Sequence, residues 1–462
     1  MSLIISISGI RGTIGGITGE NLTPFDVIKF TSAYALWLKE KSDKAYKPKV
    51  IIGRDARVSG EMISRLVQGT LNALGCNVID IGLATTPTTE IAVMYEKADG
   101  GIIITASHNP KEWNALKLLN NKGEFIDSCD IETIIKYYKN FENTVFNTVE
   151  NLGFLIENVD YIFKHVDLIT SLDIVDIEAI RSRGYTVAID CINSVGAIAV
   201  PVLLKKLGVE NIIEVNCVPN GLFAHDPEPL EQNLTELMTI VKEKKADVGF
   251  ALDPDVDRLA IVNEDGTYFG EEYTLVAVSD YVLQNKKGST VSNLSSSRAL
   301  SDITQKHGQN YYTSAVGELN VVKKMKEVAA VIGGEGNGGI IYPDLHYGRD
   351  ALVGIALFLS YMARSGMKPS SIRKIYTDYF MVKKKVFVEN KEFNEKLEQI
   401  IQRYKDMAEL NTIDGLKLDF EDSWVHIRKS NTEPIVRVYS EAKSEQKANN
   451  LAEEIIAHFL KK

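Results

Sequence analysis

The sequence predicts duplicated α/β domains with mixed or mostly parallel sheets, closed by a small α+β domain. Three observations lead there. A strand–helix–strand pattern occurs three times, the 462 residues exceed what one ordinary core organises, and the tail changes its pattern. The first copy is VIIGRDARVSGEMISRLVQGTLNALGCNVIDIG, residues 50–82. An apolar strand meets a polar loop, then Met62, Leu66, Val67, Leu71 and Leu74 recur at helical spacing, and Gly75 supplies the stop. The second copy, TVAIDCINSVGAIAVPVLLKKLGVENIIEVN (186–216), ends its strand on an aspartate and its helix on Leu-Gly. A looser third copy runs from GSTVSNLSSSRALSDITQKHG to VIGGEGNGGIIYP. Beyond about residue 376, KKKVFVENKEFNEKLEQIIQRYKD and the segment GLKLDFEDSWVHIRKSNTEPIVRVYSEA with its helical end alternate strand pairs with helices. The expected domains are 1–153, 154–253, 254–375 and 376–462.

Composition narrows the function. Hydrophobic residues make up 45% and charged residues 25%, the balance of an ordinary globular protein. A net charge of −10 disfavours nucleic-acid and anionic-membrane partners. The same field repels an anionic substrate, so a phosphate site would need local arginines and backbone donors. Cys76, Cys129, Cys191 and Cys217 form no C-x-x-C pair, which fits thiols used as small apolar residues in a reducing compartment. The start, MSLIISISGIRG, lacks a basic region and a cleavage site, and no uncharged run reaches the ~18–20 residues of a membrane helix. The expected location is cytoplasmic.

Four stretches carry chemistry. In GGIIITASHNPKEWNALKL (100–118) an isoleucine strand delivers Ser107 into a polar turn, with His108 beside it and Lys117 on a second strand-like run. A loop serine that bonds its own backbone is the bland reading, and a nucleophile is the sharp one. His108 is adjacent in sequence, so it need not face the serine as a triad base does, and no G-x-S-x-G elbow is present.

ADVGFALDPDVDRLAIVNEDG places Asp253, Asp255 and Asp257 between two strand-like runs, with Arg258 next. Three carboxylates in one turn repel each other unless a divalent cation compensates, and hard oxygens with open coordination suit magnesium. A solvated acidic turn is the alternative. A calcium loop fits poorly although Glu264 holds its twelfth position, because Arg258 replaces the required glycine and Pro254 stiffens the start.

In RKSNTEPIVRVYSEA, Arg428 and Arg437 flank a turn in which Ser430, Asn431 and Thr432 offer donors, material for a phosphate grip or for an ordinary hairpin. GGEGNGGIIYP lets a ligand approach the backbone, with Glu335 and Asn337 able to bond sugar hydroxyls. It lacks the Gly-Lys-Ser/Thr ending of a nucleotide P-loop. A serine, a lysine, an acidic triad and a phosphate grip together suggest phosphoryl transfer.

TASHNP, DPDVDR, GEGNGG and RKSNTEP, in this order and spacing, resemble the α-D-phosphohexomutase family, and SGIRG and GRDARVSGE are similar to its N-terminal motifs. The resemblance covers essentially the whole chain. It implies four domains around a central cleft, each giving one loop. It implies that Ser107 is phosphorylated in the resting enzyme and that Asp253, Asp255 and Asp257 hold Mg2+ with a phosphoserine oxygen. Arg258, Arg11 and Lys117 would lie near the reacting group, Lys117 as acid or base, and His108 joins the catalytic candidates. Glu335 and Asn337 would read the sugar, while Arg428, Ser430, Asn431, Thr432 and Arg437 would clamp the phosphate that is not reacting. A hexose 1,6-bisphosphate would be intermediate and activator, sugar phosphates the only partners, and the assembly a monomer or homodimer.

Two departures stand out. Asn337, Gly338 and Gly339 replace a Ser-Gly-His found in many bacterial members, and Glu318 stands where some carry histidine. Both resemble broad-specificity sugar-phosphate mutases. By family analogy glucosamine phosphate is the leading substrate, with glucose and mannose phosphates as the alternative. A sugar phosphatase and a non-catalytic sugar-phosphate binder are the rival readings.

Overall fold

A computed structural model describes residues 2–41, 46–388, 390–429 and 435–460. The chain divides into two compact units, residues 1–274 with 337–371, and residues 275–336 with 372–462.

The first unit opens with a mixed sheet of seven strands: β1 (Ile4–Ser6), β2 (Gly9–Thr13), β3 (Lys49–Arg54), β4 (Asn77–Leu83), β5 (Gly100–Ile104), β6 (Trp113–Leu119) and β7 (Leu155–Glu157). Their order is β1-β2-β6-β5-β3-β4-β7. β3 pairs parallel with β4 and β5, whereas β6 returns antiparallel to β5 and sets Lys117 opposite Ile103. Such central strands are apolar on both faces because helices cover them. Between β3 and β4 the expected helix spans Gly60–Ala73, and Gly75 follows at φ +79°. Its buried stripe is Ile63, Val67 and Leu71, with Met62 39% exposed. The sequence reading counted Met62 on this stripe, one residue out of phase, because a helical face about 100° wide tolerates a neighbouring start.

β8 (Thr186–Asp190), β9 (Asn211–Val215), β10 (Val248–Leu252) and β11 (Leu259–Val262) form the second sheet, ordered β11-β10-β8-β9. β10 and β11 are antiparallel and every residue in them is buried, so the aspartate loop between them sits on a rigid base. Helix Ala351–Ser365 also belongs to this unit. Asp350 starts it, its Oδ1 accepting the backbone N–H groups of Leu352 and Val353.

In the second unit, β12 (Thr290–Asn293) pairs parallel with β13 (Tyr311–Ser314) and β14 (Ile332–Glu335); β15 (Gly339–Ile341), next in the chain, belongs to the first unit. The tail adds an antiparallel sheet of β16 (Phe380–Phe387), β17 (Glu409–Asn411), β18 (Leu416–Asp419), β19 (Ser423–Lys429) and β20 (Ile435–Ala442), ordered β16-β20-β19-β18-β17. Helices Asn390–Tyr404 and Glu445–Leu460 complete it. Three α/β sheet layers and a terminal antiparallel sheet with helices are the architecture the sequence predicts. No described helix is long and apolar enough to cross a membrane.

Candidate active site

β5 ends at Ile104 and the chain turns sharply. Ser107 adopts φ +49°, the left-handed region that a residue with a Cβ rarely occupies. The turn is held at both ends of this residue: Ser107 N–H donates to Thr105 Oγ1 at 3.0 Å, and Arg57 Nη2 donates to Ser107 O at 2.6 Å. The hydroxyl then points at the acidic loop, donating to Asp253 Oδ2 at 2.8 Å. His108 Nδ1 lies 3.3 Å from Ser107 Oγ, so the neighbouring ring does reach the serine. Burial and the nearby Arg258 push its pKa down to about 2, which leaves the ring neutral.

Asp253, Asp255 and Asp257 are fully buried, and one oxygen of each lies within 4.8 Å of the others. Asp253 Oδ1 accepts the N–H groups of Asp257 and Arg258, both at 3.1 Å. Asp255 Oδ2 accepts from Thr86 Oγ1 and from Lys117 Nζ, each at 2.6 Å. Asp257 Oδ2 accepts from Arg349 Nη2 at 2.6 Å, and Lys117 Nζ stands 3.4 Å away. The remaining oxygens, Asp255 Oδ1 and Asp257 Oδ1, are buried with no partner among the described residues. Orphaned buried carboxylate oxygens are costly, and a divalent cation is the partner such hard donors suit. The residues fit magnesium.

The electrostatics follow from that crowding. Burial, with the charges of Asp257 and Asp255, raises the Asp253 pKa well above the usual carboxylate range. Asp255 is also penalised by burial, but Lys117 and its hydrogen bonds outweigh this and hold it below that range. For Lys117 burial works against the charge, yet Asp255 and Asp257 prevail and keep the ammonium charged.

Arg11, on β2, has its pKa lowered chiefly by burial and feels the charges of Asp255, Arg258 and Arg349. It donates to Ser8 O and Ser8 Oγ. Arg258 pairs with Glu228 Oε1 at 3.1 Å while its buried Nε has no partner among the described residues. The structure therefore brings Ser107, Lys117, Arg258 and the three aspartates together. Glu264, by contrast, accepts from the Ser370 hydroxyl and backbone and contributes nothing to the acidic loop.

The second unit holds the other candidates. Glu335 is buried, its Oε1 accepting from Asn293 Nδ2 at 2.8 Å and Gly317 N at 3.1 Å. Arg428 Nε lies 2.9 Å from Asp414 Oδ2, and Arg437, exposed, sits opposite Arg428 in the β19–β20 pairing. Ser430, Asn431 and Thr432 lie outside the described residues. Asn337, in the first unit, turns its Oδ1 onto Gly339 N at 3.2 Å.

Sequence reasoning missed Thr86, Arg349, the role of Asp55 and Arg57, and a buried cluster behind them. His165 Nε2 and His346 Nε2 both meet Asp350 Oδ2, at 2.9 and 3.3 Å, and His346 Nδ1 lies 3.3 Å from Glu90 Oε2. Burial opposes its charge, but Asp350 and Glu90 raise the His346 pKa to about 9. Only the Asp before an apolar helix hinted at Asp350; the others carry no local spacing signal.

Comparison with known proteins agrees along the whole chain. Residues 4–144, 164–266 and 270–379 match phosphoglucomutase/phosphomannomutase alpha/beta/alpha domains I, II and III, and residues 384–458 match the C-terminal domain. A phosphoglucomutase/phosphomannomutase of Thermococcus kodakarensis is 37% identical over 96% of both chains. A probable phosphoglucosamine mutase of Methanopyrus kandleri is 31% identical over 99% of this chain and 97% of its own. A crystal structure of a phosphoglucomutase/phosphomannomutase family protein from Burkholderia thailandensis superposes with a TM-score of 0.83 at 25% identity, covering 98% of this chain and 97% of that one. The chain belongs to the α-D-phosphohexomutase family and is a phosphohexomutase.

Proposed function

We propose that this chain interconverts hexose 6-phosphates and hexose 1-phosphates through phosphorylated Ser107 and a hexose 1,6-bisphosphate. The observation that carries the proposal is the Ser107 hydroxyl on Asp253, inside a cluster in which two carboxylate oxygens have no partner among the described residues. The P–Oγ bond breaks as a sugar oxygen bonds to phosphorus, and the proton released by the sugar hydroxyl replaces the one that Oγ takes up. Lys117, charged and fixed by Asp255, is the proposed proton donor to Oγ. Asp253, Asp255 and Asp257 would hold magnesium together with the Ser107 oxygen, and the ion supplies charge neutralisation at the transferring group. Arg258, through the Nε that has no partner among the described residues, and Arg11 would bind the equatorial phosphoryl oxygens. Glu335 and Asn337 are assigned to the sugar hydroxyls. Arg428, Ser430, Asn431, Thr432 and Arg437 are assigned to the distal phosphate. The neutral ring of His108 is a hydrogen-bond partner of Ser107 in this reading, not a proton carrier. We propose four domains on the expected bounds 1–153, 154–253, 254–375 and 376–462, with the second extended to hold β11, which pairs with β10.

For substrate we infer activity on more than one hexose phosphate, with glucosamine 6-phosphate leading. The relative from Methanopyrus kandleri supports this choice. Glucose and mannose phosphates are the second reading, favoured by the 37% identical Thermococcus kodakarensis relative and by Gly339 in place of a histidine. Isomerisation rates on glucosamine, glucose and mannose phosphates, with a 1,6-bisphosphate activator present, decide between them. Epimers whose differing hydroxyl is not read are discriminated by ~10²-fold at most. Glucosamine phosphate turning over at under roughly a hundredth of the glucose rate establishes the second reading. Phosphate release that outruns isomer formation would make the protein a phosphatase.

A further inference from the structure

We propose that Arg57 is a positioning residue that fixes the Ser107 turn against the aspartate loop; this rests on the reading of Ser107 as phosphoryl acceptor. The guanidinium is buried, with Arg57 1% exposed. Its five N–H donors all find acceptors. Nε donates to Asp55 Oδ2 at 3.1 Å, Nη1 to Pro110 O at 2.7 Å and Trp113 O at 2.9 Å, and Nη2 to Ser107 O and Asn109 O, both at 2.6 Å. Four of these acceptors are backbone carbonyls, three in the turn between β5 and β6 and one on Trp113, which begins β6. Carbonyl dipoles aimed at a common point repel one another, so this turn shape needs a cation at its centre. Only a planar fork with five donors satisfies them all; a lysine has at most three.

Asp55 closes the arrangement. Its Oδ1 accepts from Arg57 N at 2.9 Å, and its Oδ2 also accepts from Thr105 Oγ1 at 2.6 Å. Thr105 Oγ1 in turn accepts Ser107 N–H, so both peptide groups of the strained serine lead back to residues 55–57.

The same short segment touches the other loop. Ala56 N donates to Ser194 Oγ at 3.3 Å, and Ser194 Oγ donates to Pro254 O, between the first two aspartates, at 2.6 Å. The Phe223 ring covers the guanidinium at 4.9 Å, and a Cβ on Gly221, at φ +71°, would come 2.0 Å from Ala56 O. Residues 55–57 are thus a shared rest for the nucleophile turn and the acidic loop, and they set the 2.8 Å contact of Ser107 with Asp253. Arg57 bonds none of the three aspartates; it acts through the backbone of Ser107 and its turn.

The test compares Arg57→Lys, Arg57→Met and Ser194→Ala with wild type and with Ser107→Ala. The readouts are phosphorylation of Ser107 by glucose 1,6-bisphosphate, kcat and KM for hexose phosphate, and Tm. A misplacement near 1 Å costs roughly 10²-fold in rate. Arg57→Lys is therefore expected to slow both serine phosphorylation and kcat by about that factor, with KM changed less than about threefold, and Arg57→Met to lose more. Ser194→Ala should show the same pattern, weaker, and carries the test if neither Arg57 variant folds. Wild-type phosphorylation rates in Arg57→Lys and Ser194→Ala would overturn the proposal, as would a rise in KM that accounts for the whole loss. An active Ser107→Ala enzyme would instead overturn the acceptor reading on which it rests.

Discussion

Ser107 Oγ donates a 2.8 Å hydrogen bond to Asp253 Oδ2, joining residues 146 positions apart in the chain. A phosphoryl group on that oxygen would meet the donors around the acidic loop. Purified protein should carry about +80 Da on the peptide holding Ser107, the mass of one phosphoryl group, on at least part of the sample. Intact-mass and peptide mapping check this. Phosphate found elsewhere, with Ser107→Ala fully active, would falsify the assignment.

Asp255→Asn removes one carboxylate charge from the candidate magnesium ligands and weakens the 2.6 Å contact with Lys117. Activity should fall by roughly 10²-fold or more, several kcal/mol of transition-state stabilisation. Chelator treatment of the wild type should do the same, reversed by added magnesium. Normal rates in both experiments would sink the metal reading.

Arg437→Ala tests the distal phosphate site. A charge-assisted bond is worth about 1.5–3 kcal/mol, so KM should rise roughly ten- to hundredfold while Ser107 is still phosphorylated. Arg428→Ala should act similarly and also free Asp414 from its 2.9 Å ion pair. Unchanged kinetics in both variants would count against a phosphate clamp built on Arg428 and Arg437.

His346 makes stability depend on pH. Its folded pKa, about 9, exceeds the ordinary histidine value, so the folded state binds its proton more tightly than the unfolded chain does. That stabilisation is fully present below about pH 6.5 and is lost as pH rises through about 9, a total on the order of 3 kcal/mol. Wild type should therefore lose more stability than His346→Gln between pH 7 and 9.5, measured by urea unfolding at each pH. Parallel profiles would show that the Glu90–His346–Asp350 contacts carry no proton linkage.

The sequence by itself determined the elements and the chemistry that is local. Unbroken apolar runs placed β5, β6, β10 and β11, helical spacing placed the helix after β3, and three aspartates in one turn announced a cation without any partner being known. Periodicity fixes a face only to within a neighbour, so a helical spacing that starts at Met62 lies one residue out of phase with the buried Ile63.

What tertiary structure alone decided is which distant groups satisfy those local features. Thr86 reaches Asp255 across 169 residues, Arg349 reaches Asp257 across 92, and Arg57 reaches the Ser107 carbonyl across 50. His165 meets Asp350 across 185. Burial makes each of these pairings obligatory, because a buried charge or carbonyl without a partner costs more than its hydrogen bond returns. The demand for a partner is written in the local sequence; its identity depends on how helices and loops far apart in the chain pack around the two sheets.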